Sequence, residues 1–354
     1  MAYTTINKHT DYFNTNLWTG AGGSSKTISG NNFQPDLVWT KRRSATGSHK
    51  WYDAVRGVTK DLSSDNANAE TTASGSGYLN TFNSDGFTLV QGSSDNYYVD
   101  ASGVTYASWS WKANNTTASN TDGSITSTVS ANTTSGFSIV SYTGNGTANS
   151  TIGHGLGTVP DFIIVKGRSA SGTAWGTKNP AYNSPSDPNV IYLNNNSGTD
   201  SAQNVWGTSA AFTTSTFTVG DWVGSNSNST TYVAYCFSSK TGYSKFGSYT
   251  GNGSTDGAFV YTGFKPAFLL IRRKDSGDNW MIHDDKREGY NPANDELMAN
   301  LSNAEQAYDT IDLLSNGFKL RHSAGRSNNS GGTYIYMAFG QSLVGSNNVP
   351  CTAR

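Results

Sequence analysis

Two stretches place charged side chains close enough to act together. Asp53 and Arg56 follow Trp51, and Asp284, Asp285 and Arg287 follow Trp280. Such a set makes either a polar site beside an aromatic platform or an ion pair that orders a loop over a buried tryptophan. Binding sites usually gather more convergent polar groups than this, so the ion pair is the preferred assignment. His283, Asp284 and Asp285 are metal-ligand types, but neighbours on a strand alternate faces, and three in a row cannot all reach one ion without strain. His9, His49, His154 and His322 lack ligand spacing, so no metal site is assigned. A Ca²⁺ held by loop Asp and Asn oxygens has no locating signal in the sequence. Glycoside hydrolysis needs two carboxylates facing each other across a sugar. The candidates Asp85, Asp95, Asp221 and Glu288 are scattered among turns. There is no G-x-S-x-G elbow and no phosphate loop. No catalytic residue and no cofactor is assigned, and the chain is not expected to be an enzyme.

Aromatic side chains offer contact chemistry instead. Trp109 and Trp111 share a parity in YASWSWK, matched by Tyr235 and Phe237 and by Met337 and Phe339 further along. Repeated apolarity at matched positions assigns them to a core. Loop aromatics without an apolar match are the ligand-contact candidates: Tyr97, Tyr98, Tyr182 and Trp222. Arg321 and Arg326 occupy the corresponding loop later in the chain and join them, beside His322 and Asn328. Tyr and Trp bring contact area at low entropy cost, and Asn and Ser bring adaptable hydrogen bonds.

The elements that position these residues recur. WTGAG (Trp18–Gly22) precedes PDLVWTK (Pro35–Lys41), and YTGNG (Tyr142–Gly146) precedes PDFIIVK (Pro160–Lys166). YTGNG returns at Tyr249–Gly253, before PAFLLIR (Pro266–Arg272). Trp51, Trp175 and Trp280 follow Pro35, Pro160 and Pro266 by 16, 15 and 14 residues. LSSDN matches LNNNS, SDGFTL matches STFTV and SNGFKL, and YASWSWK matches YVAYCFS and YIYMAFG. The chain therefore reads as three copies of one unit.

The totals bound the class. The 354 residues carry 24 Lys+Arg and 25 Asp+Glu, a net charge of −1 that disfavours a general nucleic-acid binder. Charged residues are only 14%, against roughly 25% in ordinary domains. Aromatics at 12% argue against disorder of the whole. With two cysteines, Cys236 in an apolar run and Cys351 near the end, a disulfide framework is excluded. The first residues lack a signal-peptide pattern, and no apolar run is long enough for membrane insertion.

Alternating strands and many turn residues predict an all-β fold of three tandem antiparallel β-sandwich modules, jelly-roll or lectin-like. The expected divisions are a polar lead-in over 1–16, modules over 17–113, 136–240 and 241–343, a Ser/Thr/Asn linker over 114–135, and a mobile tail over 344–354. Alternation in PDLVWTK and YASWSWK predicts strands with one buried face. One short helix is expected in the third module, where Leu297, Leu301 and Tyr308 can share a face. Asn294 would cap it, with Glu296 and Glu305 exposed.

With these marks assembled, the chain resembles repeated-module virion structural proteins, tail-fibre-like, of marine tailed bacteriophages. The resemblance rests on TTINKHTDYFNTNLWTG, FQPDLVWTKRR with WYDAVRGVTKDL, the SDGFTL turn and the closing YIYMAF. The second unit departs most, lacking a DAVRG equivalent after Trp175. The resemblance implies a place in the virion and other virion proteins as partners. Two roles follow: a tail-fibre or receptor-binding adhesin on host-surface glycan, or a capsid decoration or head-fibre protein with a structural role. A homo-oligomer, a trimer, is expected, with Phe137, Ile139, Val140 and Tyr142 available to a shared sheet.

Overall fold

The computed structural model describes residues 4–179, 189–201, 203–207, 212–323 and 325–344. The chain is all-β, built of antiparallel sheets, and one strand order occurs three times. In the first large sheet the opening strand Phe13–Thr19 lies beside the closing strand Thr105–Trp111, followed by Leu37–Arg42 and Lys50–Asp53. In the second the same order runs Phe137–Thr143, Thr231–Phe237, Phe162–Gly167, Gly176–Lys178. In the third it runs Ser244–Thr250, Thr333–Gln341, Lys265–Arg273, Met281–Asp284. The registers agree as well: Leu37 faces Trp111, Phe162 faces Phe237 and Phe268 faces Phe339.

Each large sheet is covered on both faces. Outside the first lies a three-stranded sheet of Ser25–Ser29, Gly86–Val90 and Tyr78–Asn83. Trp18, Val38, Tyr52, Phe87 and Tyr106 fill the space between. Outside the second, Ser150–Gly153 pairs with Thr216–Val219 over Val140, Val165, Phe217 and Tyr232. The third large sheet continues through Ala293–Met298 and Gln306–Leu314 to Gly317–Leu320 and Phe259–Tyr261. It closes over its own core of Leu269, Ile271, Phe318 and Tyr336.

The inner faces meet in one aromatic cluster. Trp39, Trp51, Trp109 and Trp111 come from the first sheet, Phe162, Trp175, Tyr235 and Phe237 from the second, and Phe268, Trp280, Met337 and Phe339 from the third. Ring centroids of Trp51 and Trp175 are 5.2 Å apart, and those of Phe237 and Phe339 are 5.8 Å apart. This two-sided cover buries Leu37–Arg42 and Tyr106–Trp111 along their whole length, not on one face as the alternation predicts. A strand packed on both sides needs side chains of both parities to be shielded.

Buried cations close the arrangement into a ring. Lys41, Lys166 and Arg272 stand at matched places after Leu37, Phe162 and Phe268. Lys41 donates to the carbonyls of Ser302 and Asn303 in the third unit, at 3.1 and 2.8 Å. Lys166 donates to Ala67 in the first unit at 3.3 Å, and Arg272 to Ser197 in the second. First reaches third, second reaches first, and third reaches second.

Several local expectations differ from the structure. The helix expected around Leu297 and Leu301 is instead the strands Ala293–Met298 and Gln306–Leu314 with their connection. Leu297 is fully buried while Tyr308 is half exposed, so the helical spacing spanned two elements with different environments. Glu296, expected exposed, is buried and paired with Arg326 at 2.7 Å. Glu305, also expected exposed, is held by Arg43 and Arg287. The helix that does form in the third unit is Gly325–Asn328.

The stretch 114–135, expected as a linker, holds the strands Ala118–Asn120 and Ser127–Asn132, which extend the second sheet through Phe137–Thr143. Thr suits a half-covered strand, so its abundance does not distinguish strand from linker. The first strand begins at Phe13, inside the expected lead-in. Phe137, Ile139, Val140 and Tyr142, offered for an intermolecular sheet, are buried within the chain. Most of the expected tail, residues 345–354, lies outside the described residues. No helix among the described residues is long and apolar enough to cross a membrane.

Candidate functional site

The loops that enter the closing strands carry most of the candidate residues, and all three are fastened the same way. Tyr106, Tyr232 and Tyr334 are the second residues of those strands. Each hydroxyl donates to the carbonyl 9 residues upstream: Tyr97 at 2.9 Å, Val223 at 2.7 Å and Gly325 at 2.6 Å. Each also accepts the N–H 5 residues upstream: Ala101 at 2.9 Å, Ser227 at 2.7 Å and Asn329 at 2.8 Å. Buried polar groups of the loop are thereby satisfied from one side chain.

The same loops hold the TGAG and TGNG turns. The carbonyls of Asp100, Asn226 and Asn328 accept the N–H groups of Gly22, Gly146 and Gly253 at 2.7, 2.9 and 2.8 Å. Those glycines sit at φ of 82°, 69° and 69°, which is why the mark keeps glycine there. The side chains act too. Asp100 accepts from Ala21 and Gly23, Asn226 from Asn145, and Asn328 from Asn252.

The candidate side chains pack onto their own units. The Tyr97 ring lies 3.5 Å from the Arg42 guanidinium, and its hydroxyl donates to the Thr46 carbonyl. Tyr98 meets Tyr97 edge-on at 4.9 Å and has the Lys50 ammonium 4.4 Å from its ring. Trp222 packs 5.5 Å from Tyr192 on the outer core of the second unit. Arg321 pairs with Asp312 at 2.6 Å and with Asp256 at 3.2 Å. Arg326 lies 3.7 Å over the Tyr308 ring while it pairs with Glu296. Tyr182 lies outside the described residues. Among the described residues, Tyr97 and Tyr98 meet each other, and neither touches Trp222 or the two arginines.

The Asp–Arg sets are buried ties between units. Arg56 pairs with Asp53 and donates to the Trp51 carbonyl at 2.8 Å and to Glu70 at 3.1 Å. Asp53 also accepts the Tyr235 hydroxyl of the second unit at 2.8 Å, and Glu70 takes Arg168 at 2.9 and 3.0 Å. The third unit repeats the pattern. Arg287 pairs with Asp284 at 2.6 Å and Glu305 at 2.8 Å, and donates to the Ile282 carbonyl at 2.7 Å. Asp284 accepts the Trp109 N–H at 3.0 Å and Glu305 takes Arg43 at 2.7 Å, both from the first unit. Burial would push the Asp284 carboxyl up, but the Arg287 guanidinium outweighs it and holds it below the usual range. These carboxylates are neutralised and enclosed, which suits cohesion rather than acid–base chemistry. Glu70, Arg43 and Arg168 escape sequence reasoning and Glu305 is misplaced by it, because Arg43 and Arg168 reach these carboxylates from distant parts of the chain.

The histidines serve packing. His49 accepts the Trp39 indole N–H at Nδ1, 2.8 Å, which leaves Nε2 to donate to the Met298 carbonyl at 2.9 Å. His154 lies between the Thr213 carbonyl and the Leu156 N–H. His283 is buried, and burial pushes it down to about 3. Among the described residues no group of three or more His, Cys, Asp or Glu side chains is placed to hold a metal ion. Asp285 is set apart from its neighbours and lines a cavity of about 240 Å³ with Lys265, Tyr290, Asn291 and Leu313. Tyr290 lies outside the matched marks of the sequence, so the repeats do not single it out.

No curated protein and no solved structure matches the chain. Residues 8–342 match one family profile, and on that match the chain belongs to the family described as a domain of unknown function, DUF7483.

Proposed function

We propose that the chain is a structural component of a phage virion, of the capsid-decoration or head-fibre kind, with other virion proteins as its partners. The observation that carries this is the fastening of the closing loops. Recognition residues sit on loops carried by a rigid scaffold and offer their rings and polar groups to a partner. Here Tyr97, Trp222, Arg321 and Arg326 are each engaged inside their own unit. The apolar strand residues available to a shared sheet are covered within the chain, which supports a building block that enters the particle as a closed body. Antibody–gold labelling of intact particles tests the placement: regular labelling of the capsid is expected, and labelling confined to the tail tip would overturn it.

A tail-fibre or receptor-binding adhesin is the second reading. It is supported by the cavity beside Tyr290, a ring 70% exposed. Purified protein that competes with phage for host adsorption would favour this role.

A further inference from the structure

The loop after Met281–Asp284 combines two features. The first is a carboxylate with one oxygen left without a hydrogen bond, near the charges of Lys286 and Lys265. Oδ1 of Asp285 is shielded from solvent and accepts no hydrogen bond. Its neighbour Asp284 differs: it is occupied by Arg287, Trp109 and the Lys286 N–H. The second feature is an aromatic ring left in water. Most large aromatics of this chain are buried, yet Tyr290 is 70% exposed. It follows Gly289, which takes φ 80° and turns the chain there. Both residues line the same cavity of about 240 Å³.

The other walls narrow the choice of occupant. Asn291 is committed at both ends of its amide, donating to the Leu313 carbonyl at 3.0 Å and accepting the Leu313 N–H at 2.9 Å. It therefore shapes the wall. Lys265 adds a positive charge to the lining, and Leu313 and Ala293 add apolar surface. An ionised carboxylate only accepts hydrogen bonds, so the occupant must donate. The lysine disfavours a second cation in so small a space. A neutral molecule with several hydroxyls and one apolar face meets both conditions. The volume falls below the usual range for drug-sized ligands, which indicates a single ring.

We propose that this cavity binds one hydroxylated ring, a pyranose unit of a glycan. Asp285 accepts from its hydroxyls through Oδ2, since Oδ1 is enclosed, and Tyr290 covers its C–H face. Burial pushes the Asp285 carboxyl up to about 6, as expected for a carboxylate whose donors arrive with the ligand. A sugar site of this kind does not depend on which of the two proposed roles holds. Its failure would leave the virion placement to be judged on labelling alone.

The test uses the full chain and saturation-transfer NMR with a panel of methyl glycopyranosides of the gluco, galacto, manno and N-acetylglucosamine types. Choline chloride serves as the comparison cation. Transfer to at least one glycoside is expected, with affinity reduced roughly tenfold or more in Tyr290→Ala and in Asp285→Asn, and kept in Tyr290→Phe. The unfolding midpoint of Tyr290→Ala should equal that of the wild type, since the ring is exposed. No transfer to any glycoside, or equal affinity in both weakened variants, would overturn the site. Choline binding that is lost in Asp285→Asn, without glycoside binding, would overturn the sugar assignment in favour of an organic cation.

Discussion

The hydroxyl of Tyr334 donates to the carbonyl of Gly325 at 2.6 Å and so pins the start of a loop to the strand that ends it. Tyr106 and Tyr232 repeat this with Tyr97 and Val223. Removing only the hydroxyl leaves a carbonyl and an N–H of the loop without their partner. Tyr106→Phe, Tyr232→Phe and Tyr334→Phe are each expected to cost about 1–3 kcal/mol. Urea unfolding should show lower midpoints with unchanged slope. Three variants indistinguishable from wild type would remove the latch as a determinant of loop order.

The Glu70 and Glu305 clamps should dominate the acid limb of stability. Burial works to raise both carboxyls, but the arginines bonded to them prevail and hold both below the usual range. The folded chain then binds fewer protons at these sites than the unfolded chain, whose Glu titrates near about 4.3. Their stabilisation is complete above that value and is lost as pH falls through it toward the folded values. Asp36 acts oppositely: burial raises it to about 6, so it adds stability as pH falls from there toward about 3.9. Urea midpoints measured from pH 3 to pH 7 should therefore fall steeply only at the acid end. In Glu70→Gln with Glu305→Gln that fall should be shallower, and stability at pH 7 lower by about 1–3 kcal/mol per site. An unchanged acid limb would refute the assignment.

Much of the frame is legible in the sequence because its marks are turns and strand ends with steric demands. TGAG and TGNG need glycine at positive φ, and the closing strands carry the tyrosine of the latch at their second residue. The matched apolar pairs Trp109/Trp111, Tyr235/Phe237 and Met337/Phe339 are core, as their repetition implies. Other parts are not legible, for physical reasons. Leu297 and Leu301 have helical spacing by coincidence of a strand end and a connection. The loop at Ala299–Asn303 plays the part of LSSDN, with Ala67 after it, and of LNNNS by offering backbone carbonyls, which any residue provides. The cavity joins Lys265 and Leu313 to Asp285, a meeting set by sheet order and not by local pattern.

The ring of buried cations should be visible by titration. Burial pushes Lys166 down to about 7 and Lys41 down to about 8. Lys166 sits among the Ala67 carbonyl, the Thr173 carbonyl and the Thr173 hydroxyl, partners that a neutral amine can also use. An unfolded lysine titrates near about 10.4, so the folded chain binds fewer protons here. This contribution to stability declines as pH falls from there to the folded values and is flat below them. Carbon-13 NMR of the lysine Cε atoms should give midpoints near those values, and Lys166→Met should delete one of them. Both lysines titrating at the unfolded value would show that the ring contacts do not form in solution.

The shared inner core makes a specific demand on fragments. Residues 1–113 hold one large sheet and its outer sheet, with their own outer core. On the other face they carry Phe13, Trp39, Trp51, Trp109 and Trp111, whose partners are Trp175, Tyr235, Phe268 and Phe339 of the later units. Cutting the chain there exposes five large aromatic side chains, each worth about 1.5–3 kcal/mol when buried. Domains are held by margins of about 5–15 kcal/mol. The exposed face also loses Tyr235 from Asp53 and Arg168 from Glu70, leaving buried charges short of partners. The fragment 1–113 is therefore expected to lack a cooperative thermal transition and to bind a hydrophobic dye. Mixing it with 114–354 should restore the transition. A fragment that melts cooperatively alone, with dispersed amide NMR signals, would show that the outer core suffices and that each unit is an independent domain.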